Sequence, residues 1–224
     1  MSDHPTRRDI MKYASLVAAT GTLGCGDDAA GGMADAGLLD AGADASTACP
    51  ITGMQTAGPY YPGEPANRMN IVGNRVGVGL DFQLTVLASG TCEPLEGAEV
   101  DVWTADSNGD YSGYLVFDTV GEDWLRGQQL TAADGTISVV GIVPGAYPGR
   151  AVHVHIKVRA EGHPELTTQL YFPDAMVASV LTEPSYQGAE QTLNSVDGFY
   201  TADTLMSVDG DIASGFVASA SVYV

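Results

Sequence analysis

The chain has 224 residues, enough for one domain with a sizeable core and a terminal extension. It carries 28 Asp and Glu against 9 Lys and Arg, a formal net charge of −19, which repels phosphate backbones and anionic lipid and so excludes nucleic acid as a partner. Its three cysteines show no CxxC spacing, which excludes a thiolate zinc site.

In chain order, residues 1–24 read as an export signal. Arg7-Arg8-Asp-Ile-Met-Lys12 precedes an apolar stretch from Tyr13 to Leu23 that is too short to span a bilayer and ends at Gly24-Cys25. The paired arginines resemble a twin-arginine signal, and Cys25 resembles a lipoprotein processing site. The expectation is an exported protein (periplasmic, lipoprotein-anchored or secreted), with Cys25 as the lipidation candidate and the sole route to a membrane. Residues 25–48, almost all Gly, Ala and Asp with little that is bulky, cannot offset ordering entropy and read as a disordered acidic linker. If Cys25 is lipidated, Cys49 and Cys92 remain, both in loop-like sequence, and export predicts a disulfide between them. Two independent buried thiols are the alternative.

Residues 49–224 form the predicted folded domain. Leu80–Leu87 and Ala98–Trp103 alternate apolar and polar residues; Asp134-Gly is a turn feeding a strand through Val140. Ala151–Val158 is apolar and β-branched, and Leu166–Phe172 and Gly215–Val224 complete the set. Between them, residues 174–193 show no strong periodicity and read as a short helix or an irregular loop. Many short strands punctuated by Gly, Asp and Pro predict an all-β fold, a β-sandwich of mainly antiparallel strands.

The chemistry concentrates around His153-Val-His155. Side chains two apart on a strand share a face, so the two imidazoles can chelate one ion. Tyr147 closes the turn Val-Pro-Gly-Ala-Tyr just upstream, and Tyr111 ends Asp-Ser-Asn-Gly-Asp-Tyr. A phenol, with a pKa near ~10, ligates only when a strong Lewis acid strips its proton. Hard phenolates with imidazoles suit Fe(III) better than zinc. Individually these residues have plain readings, tyrosines as turn aromatics and Arg150 as a solvated charge; together they point to iron. Trp103 reads as core, His163 as a surface turn, and Glu122, Asp123 and Trp124 are candidates for the pocket border that nothing in the sequence decides.

In register along the chain stand Thr56-Ala-Gly-Pro-Tyr-Tyr61, Pro94-Leu-Glu-Gly-Ala-Glu-Val-Asp-Val-Trp103, Ala105-Asp-Ser-Asn-Gly-Asp-Tyr-Ser112, Leu125-Arg-Gly-Gln128, Asp134-Gly, Pro144-Gly-Ala-Tyr-Pro-Gly-Arg-Ala-Val-His-Val-His155 and Leu166-Thr-Thr-Gln-Leu-Tyr-Phe172. Over roughly residues 50–172 this resembles the intradiol ring-cleavage dioxygenases, the group of catechol 1,2- and protocatechuate 3,4-dioxygenases. The resemblance implies a non-haem Fe(III) cofactor held by Tyr111, Tyr147, His153 and His155, and a small aromatic diol and O2 as partners. It implies that Tyr147 gives way to the diol and accepts a proton, that Arg150 stabilises charge developing on it, and that Gln169 and Tyr60 line its pocket. The implied product is a cis,cis-muconate-type diacid. Only Pro148-Gly149 separate Tyr147 from Arg150, where the catechol and protocatechuate enzymes carry an insertion; the short form resembles compact secreted relatives. No second Arg or Lys stands out as a carboxylate anchor, which favours an uncharged ring. The diol and the oligomeric state are not specified by the sequence.

Two rival readings stand beside this one. The turn-and-strand pattern also resembles transthyretin-like and carboxypeptidase-regulatory sandwiches, which are non-catalytic binding modules. A structural zinc or copper site on the histidines would leave both tyrosines and Arg150 without a purpose.

Overall fold

The computed structural model describes residues 49–61 and 63–224. The expected signal, the linker and Cys25 lie outside them. The strands are β1 (Gly79–Leu87), β2 (Glu99–Trp103), β3 (Arg126–Leu130), β4 (Thr136–Ile142), β5 (His153–Arg159), β6 (Leu166–Tyr171), β7 (Ser207–Asp211) and β8 (Gly215–Tyr223). One sheet has the order β4-β1-β8-β7 and the other β3-β2-β5-β6. All pairings are antiparallel except β1 with β8. This is the expected sandwich.

The core lies between the sheets and follows the alternation in the sequence. Leu80, Phe82, Leu84 and Val86 of β1 face Val100 and Val102 of β2 and Val154, Ile156 and Val158 of β5 across it. The opposite face of the second sheet is the unusual one. Strand register lines up Trp103 with Arg126 and His155, His155 with Gln169, and His153 with Tyr171. All of these are buried, so β6 is covered on both faces although its outward positions hold polar atoms. Loops form that cover.

The first loop is placed by the N-terminal end of the domain. Cys49 and Cys92 are bridged with their Cα atoms 5.5 Å apart. The chain then binds β8 and β6 through Thr52 N–H to Tyr223 O (2.9 Å) and Gln55 N–H to Thr167 O (2.7 Å), which lays Thr56–Tyr61 over the second sheet.

Strands β3 and β7 are absent from the sequence expectation. Arg-Gly-Gln-Gln-Leu has no alternation because both of its faces are engaged, and β7 is a short, mostly exposed edge rich in acid. The open segment after β6 begins with a short helix, α1 (Asp174–Val180), and continues irregularly. Among the described residues no helix is long and apolar enough to cross a membrane.

Candidate metal centre

His153 and His155 project from β5 onto the covered face, with their Nε2 atoms 3.0 Å apart. The Tyr147 hydroxyl lies 3.1 Å from His153 Nε2. Tyr111 meets Tyr147 edge-on with ring centroids 5.9 Å apart, and His155 at 6.1 Å. The four side chains named from the sequence therefore converge.

Local sequence explains how two loops deliver the tyrosines. Asp106 accepts hydrogen bonds from the backbone of Asn108 (2.8 Å) and Asp110 (3.2 Å), folding the turn that ends at Tyr111. Gly145 donates its N–H to Asp106 O (2.9 Å), locking that turn to the loop bearing Tyr147. A Cβ at Gly145 would strike the Ser107 carbonyl, so glycine is required for this approach. Arg126, buried at the start of β3, donates Nε to Ser112 Oγ (2.6 Å), Nη1 to Tyr60 O (2.8 Å) and Nη2 to Ser112 O. One guanidinium thus ties the residue after Tyr111 to the Thr56–Tyr61 loop.

His153 Nδ1 lies 2.7 Å from Ala151 O. A carbonyl only accepts, so Nδ1 carries the proton and Nε2 offers a bare lone pair. Burial, aided by the charge of Arg150, pushes the His153 pKa down to about 3, and burial with His153 beside it pushes His155 well below the usual range. Both imidazoles are therefore neutral, the form that ligates. The Tyr111 hydroxyl is buried without a hydrogen-bond partner. Burial raises its pKa, and the neighbouring Tyr147 phenol raises it further. Burial also raises Tyr147 to about 12, against the pull of Arg150.

These features fit a ferric ion. Two donors each roughly 2.1 Å from one ion and near a right angle stand ~3 Å apart, which matches the spacing of the imidazole nitrogens. A buried Tyr111 hydroxyl and a buried His155 Nδ1 without partners are costly as they stand, and two oxygens with two nitrogens form a hard donor set.

Around the four residues the structure places several others. Tyr60 stacks on Tyr111 at 4.8 Å between centroids and packs against Phe117 at 5.1 Å. Arg150 donates Nε to Asp197 Oδ2 (2.9 Å), and its Nη2 donates to Gln169 Oε1 and to the Tyr171 hydroxyl (3.0 Å). Phe199 covers the guanidinium face at 4.7 Å. Gln169 is fully buried and its Nε2 donates to Thr56 O (3.0 Å), so both ends of its amide are committed to protein. Gln169, expected from the sequence to line the pocket, holds Arg150 and the covering loop. Trp103, read from the sequence as core, is buried and also stacks on His155. Trp124 is buried under Arg75, whose guanidinium lies 4.6 Å from the indole. His163 is partly exposed and touches Val224 O through Nδ1 at 3.2 Å.

Asp197, Phe199 and Tyr171 were not found by sequence reasoning. Asp197 is one acid among 28 Asp and Glu, in the turn-like Val-Asp-Gly-Phe, and nothing in its neighbourhood marks it. Tyr171 lies inside a motif that was noted only for Gln169.

Residues 57–196 match a family model described as Dioxygenase. A chlorocatechol 1,2-dioxygenase of Cupriavidus pinatubonensis is 27% identical over 176 residues, covering 68% of this chain and 66% of that protein; the chain spans just under two thirds of that relative's length. The solved intradiol ring-cleavage dioxygenase of Tetranychus urticae superposes with a TM-score of 0.72 at 26% identity, over 78% of this chain and 94% of that one. The dioxygenase domain of a dioxygenase carbohydrate-binding protein fusion from Streptomyces sp. SirexAA-E gives 0.62 at 33% identity, over 78% and 97%.

Proposed function

The chain belongs to the intradiol ring-cleavage dioxygenase family, and on that footing we propose that it cleaves a catechol-type diol with O2 between its hydroxyl-bearing carbons. The product is a cis,cis-muconate-type diacid that takes up both oxygen atoms. The carrying observation is the convergence of the Tyr147 hydroxyl and the Nε2 atoms of two neutral imidazoles, beside the buried Tyr111 hydroxyl that has no hydrogen-bond partner. Tyr111, Tyr147, His153 and His155 would hold the metal. Ferric iron bound there supplies the Lewis acidity that ionises phenol and diol and primes the ring for O2.

The residues divide the remaining work. Tyr111 is fully buried whereas Tyr147 is partly exposed, so Tyr147 is the phenol an incoming diol reaches and the one that leaves to accept its proton. His153 keeps its orientation through Ala151 O and holds no proton at Nε2. Arg150, fixed by Asp197, Gln169 and Tyr171, offers positive charge where negative charge develops on the ring. Tyr60 and Phe117, packed beside Tyr111, form an aromatic wall that orients the ring. The Cys49–Cys92 bridge supports export to an oxidising compartment, as the N-terminal residues suggest.

The test is a visible spectrum of the iron-assayed protein before and after anaerobic catechol, followed by oxygen uptake and product analysis. A broad tyrosinate-to-iron band that shifts with catechol, then muconate, is expected. A colourless protein that stays inert after ferric reconstitution would favour the binding-module reading. Tyr147→Phe should slow diol binding, and an unchanged rate would remove Tyr147 from its role.

A further inference from the structure

Among the described residues every lysine and arginine is already engaged. Arg68 pairs with Asp123 (3.3 Å), Arg75 with Asp106 (3.5 Å), Lys157 with Glu165 (3.1 Å) and Arg159 with Asp101 (2.8 Å). Arg126, near the tyrosines, gives its donors to Ser112 and Tyr60. The remaining cation, Arg150, belongs to the site itself.

Arg150 cannot grip a second carboxylate with both N–H groups of one edge. Its Nε meets Asp197 Oδ2 at 2.9 Å, with the Asp197 side chain 0% and the Arg150 side chain 19% exposed, so water screens the pair only weakly. The same carboxylate oxygen accepts from Ala151 N–H (2.8 Å), and Oδ1 accepts from Phe199 N–H (2.9 Å), which fixes Asp197 in place. A carboxylate is gripped by two parallel N–H groups from one edge of a guanidinium. Asp197, Gln169 and Tyr171 between them occupy Nε and Nη2, so neither edge is left whole. Phe199 closes one face. A substrate carboxylate entering this site loses hydration and meets a guanidinium whose charge Asp197 already offsets, with only Nη1 unshared, which disfavours it.

We propose that Asp197, by pairing with Arg150, is the residue that restricts the site to aromatic diols without an anionic ring substituent. This rests on the diol-cleaving reading above. Asp197 lies one residue beyond the segment matched by the family model, on the turn that also supplies Phe199. It acts through Arg150, as a positioning and charge-compensating residue.

The test uses the iron-loaded full chain and three probes: catechol, 3,4-dihydroxybenzoate and its neutral amide, 3,4-dihydroxybenzamide. Anaerobic titration of the visible band reads binding, and oxygen uptake reads kcat/KM. The amide should be preferred over the acid by tenfold or more, on the order of one uncompensated charge in a partly buried site. In Asp197→Asn that preference should narrow by about tenfold, because Arg150 regains a free charge. Asp197→Glu, which restores the charge, should restore the preference. Wild-type protein that handles acid and amide alike overturns the proposal, whether or not the variants fold. So does a folded Asp197→Asn protein with an unchanged ratio. If catechol itself neither binds nor is cleaved, the underlying reading falls as well; if catechol is cleaved and the acid is accepted equally, only the present proposal falls.

Discussion

The His155 imidazole lies flat against the Trp103 indole, with ring centroids 4.8 Å apart and planes inclined by 6°. The two residues are opposite one another on β5 and β2, so the strand pairing that builds the sheet also orients a candidate iron ligand. Trp103→Ala should cost about 3–5 kcal/mol in urea unfolding and lower the iron bound per chain. Trp103→Phe, which keeps a flat ring beneath His155, should retain more iron than the alanine variant. Equal iron content in both would separate the stack from the site.

Arg126 makes a second structural demand. Its fork joins Ser112 to the Tyr60 carbonyl, and removing it leaves those acceptors buried. Arg126→Met should destabilise the fold by roughly 2–4 kcal/mol and weaken iron binding through Tyr111. Arg126→Lys should rescue little, because an ammonium cannot reproduce the planar fork. Thermal melts together with iron titration would check both parts.

The depressed histidines give the iron-free protein a defined acid response. In the unfolded chain each imidazole titrates near ~6.5, whereas His153 in the fold does so at about 3 and His155 also lies well below the usual range. Between those values the unfolded state binds more protons, so stability is full above about pH 6.5 and falls as pH drops toward 3. Each imidazole contributes a slope approaching ~1.4 kcal/mol per pH unit. Denaturant midpoints measured from pH 7 to pH 4 should fall accordingly, and a His153→Gln, His155→Gln double variant should show a shallower slope.

The disulfide closes a separation of 43 residues, for which loop entropy predicts about 4 kcal/mol of stabilisation. Replacing Cys49 and Cys92 together with serine should lower the denaturation free energy by about that much. Oxygen uptake with catechol should change less. A larger loss of activity than of stability would show that the bridge also positions the Thr56–Tyr61 loop.

What the sequence disclosed followed from periodicity and from residue chemistry. Leu80, Phe82, Leu84 and Val86 announce a strand with one buried face, and His153-Val-His155 announces two ligands on the other. Strand β3 was hidden because Arg126 and Gln128 occupy positions that a solvent-facing strand would also fill with polar residues, and only the covering loops make Arg126 interior and leave Gln128 half-buried. Asp197 was hidden for a different reason. Its role depends on a chain reversal that brings residue 197 against residue 150, and no local pattern encodes that encounter. The tyrosines became legible only in combination with the histidines, since each alone is an ordinary turn aromatic.

The two sheets also differ in how far the chain must travel to build them. The site-bearing sheet joins strands that lie within residues 99–171, through β2 with β3 and β5, and β5 with β6. The other sheet closes only when Leu80 finds Phe216 in a parallel register, a pairing across most of the domain. Long-range parallel closure is the slow kind. Refolding should therefore bring the histidine strand to its neighbours early and complete the opposing layer late. During that interval the apolar side of β5 has no partner sheet, and protein concentration in the refolding vessel, more than iron supply, should govern the yield.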